Sequence, residues 1–318
     1  MQPSPANQQH TTERPTFRSN LVLYLKGLAM GSADVVPGVS GGTMALILGI
    51  YEELIESLRN VSTPAFFNAV RRLRIGEAFR VVNGGFLVVL VAGIATAVAL
   101  FSSFLPWLLE TQQVFVYSFF FGLVAASTWA VGRRVTAWSA VTVSALIVSA
   151  LGAFFLVGLS PAETPEAAWF IVLSGALAIC AMVLPGISGS FILLLLGKYA
   201  YVLNAVSDLN LSVIFLFGTG ALVGLLSFVR LLSWLFDRYY NLTIALLTGF
   251  LLGSLRKIYP WKSGLVSEEA PTLATNVLPP VLVNGELSGA FLGALALIVL
   301  GAALVLALEK VGEGSSSQ

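Results

Sequence analysis

The stretch "ADVVPGVSGGTMALILGIYEELI", residues 33–55, interrupts a strongly apolar region of the chain. The 318 residues are 57% hydrophobic and 10% charged, whereas soluble domains carry about 25% charged residues. Apolar runs of membrane-span length predict an all-α polytopic membrane protein, because barrel strands would give short alternating segments. The acid, the proline and the glycine and serine residues of this stretch therefore break a membrane helix.

A second stretch, "AMVLPGISGSFILLLLGKYAYVL" at residues 181–203, repeats this break. Pro37 aligns with Pro185 and Ser40 with Ser188, at a constant separation of 148 residues (185 minus 37). In both copies the motif PGxSG is followed by an apolar run and then by Gly-x-Tyr at the same distance. Two such copies predict an internal repeat.

The repeat continues downstream at a shorter separation, because Trp107 aligns with Trp234, 127 residues later (234 minus 107). The first half therefore carries an insertion of 21 residues (148 minus 127), which the basic stretch at about 59–82 accommodates. We expect this insertion to lie on the inner membrane surface against anionic lipids, or to act only as a topological signal. The predicted units are a disordered cytoplasmic tail (1–20), a first repeat (21–160), a second, inverted repeat (167–309) and a cytoplasmic tail (310–318).

Each half is predicted to contain a re-entrant helical hairpin followed by three transmembrane helices. The first limb of about 15 residues would be about 22 Å long, too short for a hydrocarbon core of about 30 Å. Re-entrant limbs also keep the basic residues on one side, as the positive-inside rule favours. Three crossings per half then give an inverted-topology repeat with both termini cytoplasmic, although Arg256, Lys257 and Lys262 would lie near the outer face. The predicted limbs and spans are 21–33, 39–58, 86–109, 114–131 and 137–159 in the first half, and 168–183, 187–206, 211–236, 242–255 and 287–308 in the second.

The two breaks are candidate anion-binding sites. A helix that starts after such a turn has backbone N–H groups without intrahelical partners, and serine and glycine make such an end suitable for an anion. Inverted repeats with discontinuous helices are typical of secondary transporters, whereas the alternative is close helix packing through small residues. The candidate substrate-binding residues at the breaks are Pro37, Gly38, Ser40, Gly41, Gly42, Thr43, Pro185, Gly186, Ser188, Gly189 and Ser190.

Four charged residues are further candidates. Arg230 lies in an apolar span and suits a phosphate ligand, or it extends to the nearby surface. Arg256 is a candidate contact for the substrate at the outer side, and the sequence leaves the same role open for Lys257. Asp34 is a coupling candidate, because intramembrane acids are costly, or else a helix cap or ion-pair partner. Glu52 is a coupling candidate or an interfacial residue. No metal, cofactor or catalytic residue is predicted, since the one histidine lies in the N-terminal tail and the one cysteine has no partner.

Both breaks, together with "GSLRKIYPW", resemble the signatures of the bacterial polyprenyl-phosphate transporter family, formerly a domain of unknown function. The resemblance covers residues 21–308. It implies a flippase of the cytoplasmic membrane that returns undecaprenyl phosphate from the outer to the inner leaflet, so that the carrier is recycled for peptidoglycan and other envelope polymers. It implies polyprenyl phosphate as partner and no nucleic acid, and it leaves a homo-oligomer open. The residues alone leave three alternatives: a secondary transporter of a small soluble anion, a phosphatase acting on the same lipid, and a structural scaffold.

Overall fold

The chain is helical throughout most of its length. The structure, a computed structural model, describes residues 17–36, 39–263, 275–283 and 286–315. The first half contains α1 (Phe17–Asp34), α2 (Gly41–Ile47), α3 (Tyr51–Asn60), α4 (Pro64–Arg71), α5 (Ile75–Val81), α6 (Gly84–Gly132) and α7 (Ala140–Leu156). The second contains α8 (Ala168–Val183), α9 (Gly189–Leu195), α10 (Tyr199–Ser207), α11 (Leu211–Arg238), α12 (Tyr240–Ser254) and α13 (Gly289–Ser315). Two short antiparallel hairpins precede α13, namely β1 (Lys262–Ser263) with β2 (Thr275–Asn276), and β3 (Leu282–Val283) with β4 (Glu286–Leu287).

The prediction of a multi-pass α-helical membrane protein is confirmed. Within the described residues, four helical segments are long and apolar enough to cross a membrane: Gly84–Phe101, Trp107–Gly132, Leu211–Arg238 and Gly289–Ala307. The bent pair α9 and α10 would make a fifth if it is counted as one span. The helices α7 and α12 have 17 and 15 residues and are shorter than typical spans.

Several predicted boundaries shift. The predicted spans 86–109 and 114–131 form one long helix, α6, whose backbone leaves helical geometry at Gln112 (φ −134°, ψ 35°). Residues 1–16 and 316–318 of the predicted tails lie outside the described residues. Inside those tails, α1 already begins at Phe17 and α13 continues to Ser315.

The sequence predicts one continuous segment for the second limb of each hairpin. In the structure, each second limb consists of two short helices. Gly49 separates α2 from α3 and Gly197 separates α9 from α10, with φ of +70° and +61°. Glycine adopts positive φ without strain, and a residue in this conformation commonly ends a helix. The bend between α9 and α10 is 108°. A sharply bent pair of this kind is the geometry expected of a re-entrant segment.

The repeat extends from the sequence to the packing. In the first half α1 packs on the start of α6, and in the second α8 packs on α11. A Cβ on Gly27 would overlap the carbonyl oxygen of Leu90, and one on Gly175 would overlap that of Phe217. Gly175 follows Gly27 by 148 residues, and Phe217 follows Leu90 by 127 residues, which are the same separations as in the sequence motifs. Small residues allow such close approach of membrane helices. The opposite orientation of the two halves stays a prediction.

Helices of one half also pack against helices of the other half. The second part of α6 packs on α13, while its repeat mate α12 packs on α7. The equivalent glycines Gly122 and Gly249 lie against the backbone of Ile298 and Leu146, respectively. The largest buried cluster joins α2 and α3 to α6, α11 and α12. The first hairpin is thus enclosed by helices of both halves.

Candidate functional site

The two breaks meet each other inside the protein. The Gly186 N–H donates to Thr43 Oγ1 at 2.8 Å, and the Ser40 hydroxyl donates to the Leu184 carbonyl at 3.4 Å. The Tyr51 hydroxyl donates to the Val183 carbonyl at 3.0 Å. These bonds join residues more than 130 positions apart in sequence. The two breaks therefore lie directly against each other.

Gly42 permits this approach. A Cβ at that position would lie 2.9 Å from the Val183 carbonyl oxygen, so a side chain would push the two breaks apart. Ser40, Gly41, Gly42 and Thr43 are all buried. Pro37 and Gly38, the other candidates in this break, lie outside the described residues.

Asp34 caps the first break. Its Oδ1 accepts the Gly41 N–H at 2.5 Å, at the start of α2. A carboxylate is favourable here, because the first N–H groups of a helix have no intrahelical acceptors. The sequence analysis gives such a cap as an alternative to a coupling role for Asp34. The chain thus supplies its own anion to the first break.

The second break has no acid at the matching position, where Met182 stands 148 residues after Asp34. Ser188 precedes α9, and its side chain makes no capping bond to that helix; its Oγ lies 2.7 Å from Ser190 Oγ instead. Pro185, Gly186 and Gly189 are buried, whereas Ser190 is exposed. The two copies of the motif therefore differ in how their donors are used.

Gly186 connects the second break to α12. Its φ of +91° is accessible to glycine without strain, and a Cβ there would lie 2.9 Å from Ser254 Oγ. The last turn of α12 therefore lies directly beside the break.

Two charged candidates bond elsewhere. The guanidinium of Arg230 donates to Ser62 through Nε to Oγ (2.9 Å) and through a terminal nitrogen to the carbonyl (2.6 Å). Arg230 thereby joins α11 to the start of the basic insertion. Glu52 is exposed and accepts the Tyr240 hydroxyl at 3.4 Å. The bonds of both residues lead away from the breaks.

Arg256 follows α12 and contacts α7. It donates to the Phe154 carbonyl at 3.0 Å, and its guanidinium carbon lies 4.5 Å from the centre of the Phe154 ring. The next residue, Lys257, reaches the second break instead, because its ammonium lies 4.3 Å from the ring centre of Phe191, the residue after Ser190. The sequence left open whether Lys257, together with Arg256, contacts the substrate at the outer side.

Burial changes the basicity of two lysines in this region. It lowers the pKa of Lys257 to about 8, with a further contribution from the charge of Lys262. Burial likewise lowers the pKa of Lys262 to about 8. Both ammonium groups thus lose protons more readily than surface lysines do.

Tyr51 was also missed as a site residue. The sequence contained a signal, because Tyr51 belongs to the repeated Gly-x-Tyr motif. Its ring is buried and packs edge-on against Phe236 at 6.1 Å, which directs the hydroxyl to the Val183 carbonyl.

The chain is similar to known proteins over most of its length. The chain matches the undecaprenyl phosphate translocase-like family over residues 30–273, a range that includes both breaks. It is 44% identical over 302 residues to a polyprenyl-phosphate transporter of Vibrio cholerae serotype O1, covering 92% of this chain and 97% of the relative. It is 29% identical over 254 residues to a polyprenyl-phosphate transporter of Staphylococcus aureus, covering 74% and 85%. No solved structure matches the chain.

Proposed function

Because the chain belongs to the undecaprenyl phosphate translocase-like family, we propose that it transports a polyprenyl phosphate across the membrane. The substrate is undecaprenyl phosphate, moved from the outer to the inner leaflet of the bacterial cytoplasmic membrane and so recycled for envelope synthesis. The names of both relatives support the substrate class. The observation that carries the proposal is the direct contact of two helix breaks, Thr43 with Gly186, inside a membrane protein.

The phosphate binds where the breaks meet. The hydroxyls of Ser40, Thr43, Ser188 and Ser190 lie at the two breaks and can donate to the phosphate, and charged phosphate oxygens make stronger hydrogen bonds than neutral acceptors do. The second break is favoured for the phosphate, because Asp34 already occupies the first. The isoprenoid tail stays in the lipid, so only the headgroup has to be carried through the protein.

Transport requires the breaks to separate. The bonds of Thr43 and Tyr51 link the first hairpin to the second, so relative movement of the halves must break them. Alternating access in inverted-repeat transporters commonly works in this way. Protonation of Asp34 would weaken its hold on α2 and could couple the movement to a proton gradient.

The insertion supports binding to anionic lipids at the cytoplasmic face. The helices α4 and α5 expose the large apolar residues Phe67, Val70, Leu73, Ile75 and Phe79. The same segment carries Arg71, Arg72, Arg74 and Arg80. Apolar and basic residues together are typical of segments that lie in the headgroup region.

The test is a leaflet-exchange assay in proteoliposomes of the purified protein, with undecaprenyl phosphate and with or without a pH gradient. We expect protein-dependent crossing, and loss of crossing in the Ser40→Ala, Ser188→Ala double variant. Ser174→Ala is the matched control, because that buried hydroxyl bonds only to the carbonyl of Phe170 in its own helix. Its crossing should equal that of the wild type.

Three results would contradict the proposal. Crossing no faster than in empty vesicles would remove the transport function. Normal crossing by a well-folded double variant would remove the breaks as the phosphate site. Uptake of inorganic phosphate without lipid crossing would favour a transporter of small anions.

A further inference from the structure

We propose that a basic cavity beside the C-terminal end of α12 is a second binding site for the phosphate headgroup of an isoprenoid lipid, adjoining the second break. This proposal rests on the proposed transport function and adds a place where the headgroup is held outside the junction of the two breaks. The cavity has a volume of about 670 Å³. That is within the range of about 300–1,000 Å³ usual for small-molecule sites.

The polar side of the cavity carries three cations. Arg256, Lys257 and Lys262 line it together with Thr275 and Asn276. Within residues 17–36, 39–263, 275–283 and 286–315, no carboxylate lies within 4.0 Å of these three cationic groups. Lys257 is only 7% exposed. Buried cations are normally paired, so a cluster that has no carboxylate partner among the described residues favours an anionic ligand.

Local bonds hold the cations in position. The Lys262 ammonium donates to the Lys257 carbonyl at 2.5 Å, and the Asn276 amide donates to the Arg256 carbonyl at 3.1 Å. Both interactions use backbone oxygens, so they leave the positive charges uncompensated. A phosphate monoester carries about −1.5 to −2 charges at neutral pH and could accept bonds from more than one of these groups.

Most of the other residues that line the cavity are apolar, which favours a lipid over a free phosphate. Among them, Phe154 and Leu252 are 44% and 45% exposed. Phe155, which follows Phe154, is exposed as well. Exposed apolar side chains of a membrane protein are suited to contact lipid tails. An isoprenoid chain attached to a headgroup in this cavity would therefore have apolar side chains to pack against.

The residues that line the cavity adjoin the second break rather than the first. The Lys257 ammonium lies over the ring of Phe191, immediately after Ser190, and Gly186 lies against Ser254. A headgroup held at Lys257 would thus be close to the one break that lacks an acid. We infer that the headgroup passes between this cavity and Ser188 and Ser190.

The experiment measures binding and transport on the same full-length protein in defined lipid. The probes are undecaprenyl phosphate, undecaprenol and inorganic phosphate. The Lys257→Gln, Lys262→Gln double variant should bind undecaprenyl phosphate at least about tenfold more weakly, because two charge-assisted contacts are lost. Binding of undecaprenol should not change. Arg238→Gln is the surface control for loss of a positive charge, since Arg238 is exposed at the end of α11 and does not line the cavity.

A second pair of variants avoids the buried lysines. Thr275 is exposed on β2 and lines the cavity. Thr275→Asp should weaken binding of undecaprenyl phosphate, whereas Thr275→Lys at the same position should preserve or strengthen it.

The outcomes separate this proposal from the proposed function. A wild type that neither binds nor moves undecaprenyl phosphate contradicts the transport function itself. A wild type that does both, with lysine and Thr275 variants that match it, overturns the cavity site alone. Inorganic phosphate binding as tightly as the lipid would show a site for free phosphate and would overturn the lipid assignment.

Discussion

Replacing Thr43 with valine tests whether the contact between the two breaks stabilises the fold. The Thr43 side chain is 1% exposed, and its Oγ1 accepts the Gly186 N–H at 2.8 Å. Valine has nearly the same shape but cannot accept a hydrogen bond. The Gly186 N–H, which is also buried, would lose its partner at no large change in packing volume.

The cost follows from the burial of both groups. A buried donor left without an acceptor costs about 1–3 kcal/mol. If transport separates the breaks, only the closed arrangement bears this cost. The equilibrium between closed and separated arrangements then shifts toward the separated one by about 5–150-fold. Thr43→Val should therefore lower thermal stability and also expose the second break.

Two measurements resolve these effects. Thermal unfolding reports stability, and maleimide labelling of Ser188→Cys, in a background without the single native cysteine at position 180, reports exposure of the break. Thr43→Ser, which keeps the acceptor, should resemble the wild type in both. If Thr43→Val melts and labels like Thr43→Ser, the hydrogen bond across the breaks does not hold them together, and the reasoning is refuted.

Three further predictions follow from other contacts. Asp34→Ala should lower the free energy of unfolding by about 0.5–2 kcal/mol through loss of the α2 cap, whereas Asp34→Asn should retain stability but lose acceleration of transport by a pH gradient. Raising the pH from about 7 to about 9 should weaken binding of undecaprenyl phosphate in a titration, because Lys257 and Lys262, with pKa values of about 8, lose most of their charge; arginine at both positions should remove this dependence. Deprotonation of these two lysines does not destabilise the fold, because above about pH 8 the unfolded lysines bind more protons than the folded ones, and their contribution to stability therefore rises toward pH 10.5. Gly27→Val and Gly175→Val should each destabilise the protein by about 1–3 kcal/mol in thermal unfolding, because they overpack equivalent helix contacts.

The breaks were predictable from sequence because their causes are local. Proline and glycine end helices through their own backbone properties. The repetition of PGxSG indicated that the two breaks are copies of one motif. The helix pairs around them keep the same spacing in the structure, since α2 and α9 begin at Gly41 and Gly189. The apolar runs likewise indicated the membrane helices, because hydropathy over a span depends on composition alone.

The contacts between distant residues were not predictable in the same way. Nothing in the sequence indicates that the Gly186 N–H bonds to Thr43, or that Lys257 lies over Phe191. The split of each second limb could have been anticipated from Gly49 and Gly197, but a single glycine is also tolerated within membrane helices. Only the positive φ at both positions shows that these glycines end a helix rather than lie within one.

The repeat conserves packing but not the charged groups at the two breaks. Gly27 and Gly175 make equivalent contacts, yet Asp34 fills the first break while Met182 leaves the second without an acid. The basic cavity lies beside the second break. A phosphate that binds at the junction therefore meets an anion on one side and cations on the other. The free energy of the headgroup cannot be symmetric along such a path, so the two leaflets need not be equivalent to the transporter.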